Sequence, residues 1–292
     1  MKKIFFVAGG DLRQIYAAKK LSEKFDVCIT GFDKNIIIPE NIKIINNISD
    51  MPLKADYLLL PMPVSTDGIN LNAPFGKETI PLKSVEFCTK DSTTVFGGKI
   101  NENIKSIFRL PDSSVYDYLE REEYTIMNAV STAEGALQIA LEEMPITIYD
   151  SDILITGWGR ISKLLSKMLV ALGANVTVSA RKYSDLTWAK IYGCKTILIS
   201  EMNNTAHKYD IVFNTVPAIV LGKAVLEKLN NDCLVVDLAS KPGGVDFNVA
   251  SSLGIKTIWA LGLPGKSAPV SAGHMLADTI INILNERGEL NE

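Results

Sequence analysis

Cysteine is scarce and unpatterned in this sequence. The four in 292 residues, Cys28, Cys88, Cys194 and Cys233, are scattered with no Cys-x-x-Cys pair. That excludes a disulfide-stapled scaffold and a dithiol redox motif, and the plain reading is buried reduced thiols. Histidine is scarcer still: His207 and His274 are the only two, and they lie far apart. Without a Cys/His cluster no zinc site is expected, and no metal. No apolar run reaches the length of a membrane span, and MKKIFFVAGGD breaks too early for a signal peptide, so a cytoplasmic chain with no membrane partner is expected. A net charge of −3 removes the electrostatic case for nucleic acid.

What is present is ordinary globular material. Apolar residues make up 47% and charged residues 22%, enough for sizeable cores, and the length suits two domains. In the first half, KIFFVA (Lys3–Ala8) is a continuous apolar run of the parallel-sheet kind. Gly9-Gly10-Asp11 turns the chain, with Asp11 or Gly10 as cap for a helix over Leu12–Lys24. Further strands are predicted at Asp26–Thr30, Lys43–Ile45, Tyr57–Leu60, Thr94–Phe96 and Ser106–Leu110, and a short helix after Asp112. A longer helix is predicted from Thr132, with Ser131 and Glu134 as a capping box and Pro145 as its stop.

The densest signal is DILITGWGRISKLLSKMLVALGANVTVSAR, from Asp152 to Arg181. Strand, glycine turn, amphipathic helix and strand follow one another, as in the first βαβ unit of a dinucleotide-binding fold. Gly157 permits the turn out of the strand, and Gly159 lets a diphosphate approach the backbone at the helix N-terminus. Ser162 stands where Gly or Ala is usual. Trp158, Arg160 and Ile161 complete the candidate loop. Where an NAD site places Asp or Glu, this chain has Ser179-Ala180-Arg181-Lys182. Arg181 can pair with a 2′-phosphate, helped by Ser179 and Lys182, so NADP is the expected cofactor. Strands predicted at Thr196–Ile199, Ile211–Asn214, Leu234–Asp237 and Thr257–Trp259 continue the alternation. Asn214, Thr215, Val216 and Pro217 follow one strand as candidate cofactor contacts. Pro217 equally suits a plain helix start. Asp237 ends the next strand, either as a ribose or backbone ligand or as a helix-start carboxylate.

The fold class expected is α/β: two doubly wound parallel-sheet domains with a cleft between them, the C-terminal one a Rossmann NAD(P)-binding domain. The expected division is 1–130 for a flavodoxin- or Rossmann-like substrate domain and 131–270 for the NADP-binding domain with its linking helix. A last helix, 271–292, is a candidate for packing back onto the first domain.

For an anionic substrate the candidates are Ser65, Thr66 and Asp67 on a loop, Ser131 and Thr132 at a helix N-terminus with free N–H donors, and Lys266 with Ser267 as a polar, cationic patch. Ordinary capping accounts for Ser131 equally well. Together GGDLRQ, PMPVSTDG, NAVSTAEGALQIA, GWGRISKLL with SAR, NTVPA, DLASKPGGVDF and ALGLPGKSAP resemble the dipicolinate synthase A-subunit family over nearly the whole chain. The resemblance implies an oxidoreductase of the mother cell of spore-forming bacteria. It would use NADP to make pyridine-2,6-dicarboxylate from dihydrodipicolinate or its hydrated precursor, and its partner would be the flavoprotein-like dipicolinate synthase B-subunit. Homo-oligomerisation is left open. Arg13 and Arg109 are weaker candidates for binding such a dicarboxylate. His274 is the first candidate for a catalytic proton carrier, since its ordinary pKa lies near neutral, and Asp67 the second. The competing readings are another two-domain NADP-dependent dehydrogenase on a small carboxylate, of shikimate or hydroxyacid type, and a non-catalytic NADP-binding sensor.

Overall fold

A computed structural model describes residues 2–33, 36–51 and 54–290. The chain divides into two compact units, one of 1–128 with 268–292 and the other of 129–267. In the first unit β1 (Ile4–Ala8), α1 (Leu12–Leu21), β2 (Asp26–Thr30), β3 (Lys43–Ile44), β4 (Tyr57–Leu59), α2 (Leu82–Glu86), β5 (Thr94–Gly97), α3 (Glu102–Phe108) and β6 (Val115–Asp117) follow in order. Its six strands are parallel, in the order β3-β2-β1-β4-β5-β6. Helix α4 (Glu122–Glu143) carries the chain into the second unit.

There the elements are β7 (Asp152–Thr156), α5 (Arg160–Ala171), β8 (Asn175–Ala180), α6 (Tyr183–Ile191), β9 (Lys195–Leu198), β10 (Ile211–Asn214), α7 (Lys223–Leu226), β11 (Leu234–Asp237), α8 (Phe247–Ser252), β12 (Thr257–Trp259) and α9 (Leu263–Ser267). The second sheet, read from its β9 edge, is β9-β8-β7-β10-β11-β12, again all parallel. Both units therefore share one doubly wound strand order, that of the Rossmann fold.

Alternation along each strand builds two cores per unit. Phe5 and Val7 of β1 enter one apolar cluster while Phe6 and Ala8 enter the other. In β7, Ile153 and Ile155 face one cluster and Leu154 the opposite one. A run apolar at every position thus belongs to a sheet covered on both faces. All four cysteines are free and buried in these layers, and burial pushes the Cys233 thiol up to about 12.

The last helix, α10 (Pro269–Glu286), returns to the first unit. Its buried face, Leu276, Ala277, Ile280, Ile283 and Leu284, shares a core cluster with Ile15, Ala17, Ala18 and Leu21 of α1. Gly273 lets the two backbones approach, since a Cβ there would sit 2.5 Å from the Arg13 carbonyl oxygen. Beyond α10 the tail is tied down by charge. Tyr57 Oη donates to Glu289 Oε2 at 2.9 Å, and Arg287 pairs with Glu289 and donates to Ser113 O at 2.6 Å. Residues 291–292 lie outside the described part of the chain.

Burial acts to raise the Glu289 pKa, but bonds from Arg287 and Tyr57 and the charges of Arg287 and Lys3 outweigh it, so the value is lowered. A lowered carboxylate contributes stability above its unfolded pKa and loses it as pH falls through the folded one. Tail release is therefore expected only below the ordinary glutamate range, as protease cleavage near Arg287 measured against pH. Glu289→Gln should remove that acid-dependent step, and an unchanged step would place its origin elsewhere.

Two sequence expectations are corrected. Ser106–Leu110 is not a strand, because Asn101 caps α3 by accepting from Ile104 N, and Ile104 and Phe108 bury one face four residues apart. Ser131 is no helix cap: α4 starts nine residues earlier, with Glu122 and Glu123 in its first turn, and Ser131 and Thr132 are buried inside it. The free N–H donors supposed there are consequently absent.

Candidate functional site

In the second unit the strand order reverses between β7 and β10, and open α/β sheets bind ligands at such a reversal. Gly157 leaves β7 at φ 87° and its N–H donates to Ser179 O at 2.7 Å. A Cβ on Gly157 would meet Thr215 Oγ1 at 2.8 Å and Val216 Cγ2 at 2.9 Å, so only glycine fits. Ser162 is fully buried and donates its hydroxyl to Gly157 O at 2.8 Å, which seats the helix on the turn and explains a serine at that position. Gly159 is the N-cap of α5 and gives no side-chain cap. A Cβ there would meet nothing within 4 Å. The N-terminus of α5, which carries the positive end of the helix dipole, thus has open space beside Gly159.

That space is a cavity of about 470 Å³ bounded by Gly157, Gly159, Arg181, Lys182 and the loop from Thr215 to Ala218. Trp158 and Ala180 also border it. The Trp158 ring packs in the core, edge-on to Tyr192 at 5.3 Å. Arg181 and Lys182 are exposed just beyond β8. Asp185, Ile199 and Val220 border the cavity too and were missed in the sequence. Only Asp185 had a legible signal, as an acidic residue in the first turn of α6.

Several predicted contacts are absent from the cavity wall. Ser179 is fully buried and its hydroxyl has no partner among the described residues, so it does not face an approaching phosphate. Arg160 and Ile161 open α5 outside the cavity lining. Asn214 and Asp237 are both fully buried. Asp237 accepts from Asn214 Nδ2 at 2.7 Å, Ala239 N at 3.0 Å and Gly244 N at 2.8 Å. It is neither a ribose ligand nor a helix-start carboxylate, because its oxygens face the protein.

The first unit has the equivalent turn, with Gly9 N donating to Thr30 O at 3.0 Å. There the crevice is filled by the chain itself. Gly10 N donates to Asn72 O at 2.8 Å, and Leu71 lies against Gly9 so closely that a Cβ would meet it at 2.8 Å. The helix N-terminus is also satisfied: Asp11 caps α1 in a capping box with Gln14. Asp11 further holds the buried Arg13 guanidinium by bonds of 2.9, 3.1 and 2.7 Å. Arg13 is thus spent inside the unit, and Arg109 is an exposed C-cap residue at φ 49°.

The substrate candidates fall in different units. Ser65, Thr66, Asp67 and His274 belong to the first; Ser131, Thr132, Lys266 and Ser267 belong to the second. Asp67 organises its own loop. It accepts from Ile69 N and Asn70 N at 2.8 Å each, and from Asn70 Nδ2 and the Ser65 hydroxyl. Those donors hold its carboxyl far below the usual range. Ser267 donates to Leu263 O at 2.8 Å and packs on Gly135 of α4, while Lys266 is exposed. His274 is half-buried on α10, next to Gly273. Among the described residues no three His, Cys, Asp or Glu side chains gather to hold a metal, and no helix is long and apolar enough to cross a membrane.

The chain is 32% identical over 284 residues to the dipicolinate synthase A-subunit of Bacillus subtilis (strain 168), spanning 96% of this chain and 95% of that one. It belongs to the dipicolinate synthase A-subunit family. The family model described as the dipicolinate synthase A-subunit N-terminal domain matches residues 4–119, and that of shikimate / quinate 5-dehydrogenase matches residues 138–258. The crystal structure of the dipicolinate synthase A-subunit from Bacillus halodurans superposes with a TM-score of 0.85 at 30% identity, covering 97% of this chain and 98% of that one. A transhydrogenase from Sinorhizobium meliloti, 17% identical, shares the fold with a TM-score of 0.71 over 99% of this chain and 95% of that one. Within this family the second unit is a dehydrogenase-type Rossmann domain.

Proposed function

We propose that this chain is the NADP-dependent oxidoreductase component of a dipicolinate synthase, oxidising dihydrodipicolinate or its hydrated precursor to dipicolinate during sporulation. The second unit takes the cofactor and the first contributes to substrate binding. The observation that carries the reading is the cavity in which an uncapped helix N-terminus meets Arg181 and Lys182. It fits a dinucleotide on both counts: Gly159 leaves room for a diphosphate at the α5 amides, and the β8 end presents cations where an NAD site presents a carboxylate. When bound, the nicotinamide would accept the hydride that leaves a dihydropyridine ring as it becomes aromatic.

The chain's own residues do the rest. The loop from Thr215 to Pro217 flanks the nicotinamide half, and Ser65, Thr66 and Lys266 are the candidates for the substrate carboxylates. His274 takes the proton released on aromatisation. Asp67 is the poorer carrier, because a carboxyl held so far below neutrality binds a proton weakly. The flavoprotein-like B-subunit is the expected partner, and the mother-cell cytoplasm the expected place of action.

Calorimetry tests the cofactor reading. Wild type should bind one NADP⁺ per chain, since the matching crevice of the first unit is filled, and should prefer it to NAD⁺ because Arg181 and Lys182 stand at the end of β8. Arg181→Ala should cost NADP⁺ roughly 10- to 100-fold in affinity, the value of a charge-assisted contact, and leave NAD⁺ nearly unaffected. Equal binding of both coenzymes by the wild type would overturn the NADP assignment.

A further inference from the structure

We infer that Asn214 and Asp237 form a buried clamp that sets the shape of the Thr215–Pro217 loop, and that this clamp tunes affinity for the nicotinamide half of the cofactor without touching it. The inference rests on the cofactor reading above. Strand register brings the groups together, for Asn214 of β10 lies directly between Thr156 of β7 and Asp237 of β11. The Asn214 amide is completely used. Its Oδ1 accepts from the Thr156 hydroxyl and from Val216 N at 3.1 Å. Its Nδ2 donates to Val216 O at 2.9 Å and to Asp237 Oδ1 at 2.7 Å. Two acceptances and two donations exhaust a carboxamide, so none is left for a ligand.

The Val216 backbone, whose N–H can only donate and whose C=O can only accept, fixes which way the amide points, with Nδ2 on the Asp237 side. In that orientation Asn214 grips Val216 by both N–H and C=O, and Thr215 adds a bond from its hydroxyl to Thr156 O at 2.6 Å. Asp237 also accepts from Gly244 N, which draws the 240–244 turn beneath the same loop. The grip acts on one side of the crevice. A dinucleotide laid across the carboxyl ends of β8, β7 and β10 places its adenosine 2′-phosphate by Arg181, its diphosphate by Gly159 and its nicotinamide half by Thr215–Pro217. Loosening the clamp should therefore disturb one end of the ligand and spare the other.

The test compares 2′,5′-ADP, which reaches only the β8 side, with NADP⁺, by calorimetry on the full chain. In Asn214→Ala the Kd for NADP⁺ should rise on the order of tenfold, the loss of about one buried hydrogen bond, with the Kd for 2′,5′-ADP unchanged. Thr156→Val, which keeps the side-chain shape and frees one acceptor of Asn214, should give a smaller loss of the same kind, and it serves if Asn214→Ala does not fold. Swapping the pair as Asn214→Asp with Asp237→Asn keeps one amide–carboxylate bond between the strands and should restore part of the NADP⁺ affinity lost in Asn214→Asp alone. Equal weakening of both ligands, or wild-type affinity for both in a folded variant, overturns the clamp. Failure of 2′,5′-ADP to bind the wild type would instead count against the cofactor reading.

Discussion

Asp11→Ala is expected to cost the first unit about 3 kcal/mol of stability, more than Arg13→Met at the same turn. The Arg13 side chain is buried while that of Asp11 keeps contact with water. The pair is bidentate, with Arg13 Nε and Nη2 on the two Asp11 oxygens. Removing the carboxylate leaves a guanidinium with little solvent and without its counter-charge, and breaking a buried pair from one side typically costs about 3–5 kcal/mol. The lower end applies here because Asp11 is partly solvated. Loss of the α1 cap acts in the same direction. Arg13→Met deletes the buried charge with the pair and fills much of its volume, so its cost should be smaller. Urea unfolding of both variants decides the matter, and a costlier Arg13→Met would mean that the guanidinium does more for the unit than balance Asp11. The Arg13 charge also acts on the buried Tyr124, whose ring meets Tyr118 edge-on at 5.2 Å, and that pairing is the place to look if the order is reversed.

The architecture was legible where local chemistry and tertiary burial agree. IFFVA and the ILI of β7 are apolar at successive positions because both faces of their sheets are covered, and a glycine turn follows each strand because the chain must reverse into a helix. Legibility failed where one pattern serves two structures. STAE reads as a capping box, yet the helix runs through it because Ala129, Ala133, Ala136 and Ala140 bury one continuous face. SIFRL reads as a strand until Asn101 is recognised as a cap four residues before Lys105.

At the candidate site, the glycine turn and the Arg181–Lys182 step were readable because their spacing along one βαβ unit fixes where they lie. Asn214 and Asp237 were placed on the crevice for a similar reason, as polar residues at strand ends. Whether such a residue faces a ligand or its neighbours depends on which strands lie beside it and in what register, and that is non-local. The same holds for the first unit's turn. Nothing in GGDLRQ announces that Leu71 and Asn72, some sixty residues away, lie on its glycines.

Gly244→Ala should be the most damaging single methyl in the second unit. Gly244 needs no left-handed backbone; what it needs is the absence of a side chain. A Cβ there would stand 2.3 Å from Asn214 Nδ2, 2.4 Å from Val216 O and 2.9 Å from Ala218 O. Two of the three are backbone atoms of the loop that borders the cavity, so no rotamer change relieves the clash. Either the 216–218 loop moves out or the 240–244 turn moves down, and each breaks the bonds joining Asn214, Val216 and Asp237. Overpacking of about 1–3 kcal/mol adds to roughly 1–3 kcal/mol for each polar group left buried and unpaired. A fall in melting temperature on the order of 10 °C follows, with weaker NADP⁺ binding in whatever folds. Gly159→Ala is the internal contrast. Its φ of −90° suits any residue and its Cβ would meet nothing within 4 Å, so its melting temperature should stay near wild type. Its methyl would nonetheless intrude where the diphosphate is expected, and affinity should drop. If Gly244→Ala melts like the wild type while Gly159→Ala does not, the rigid ledge has been placed under the wrong glycine.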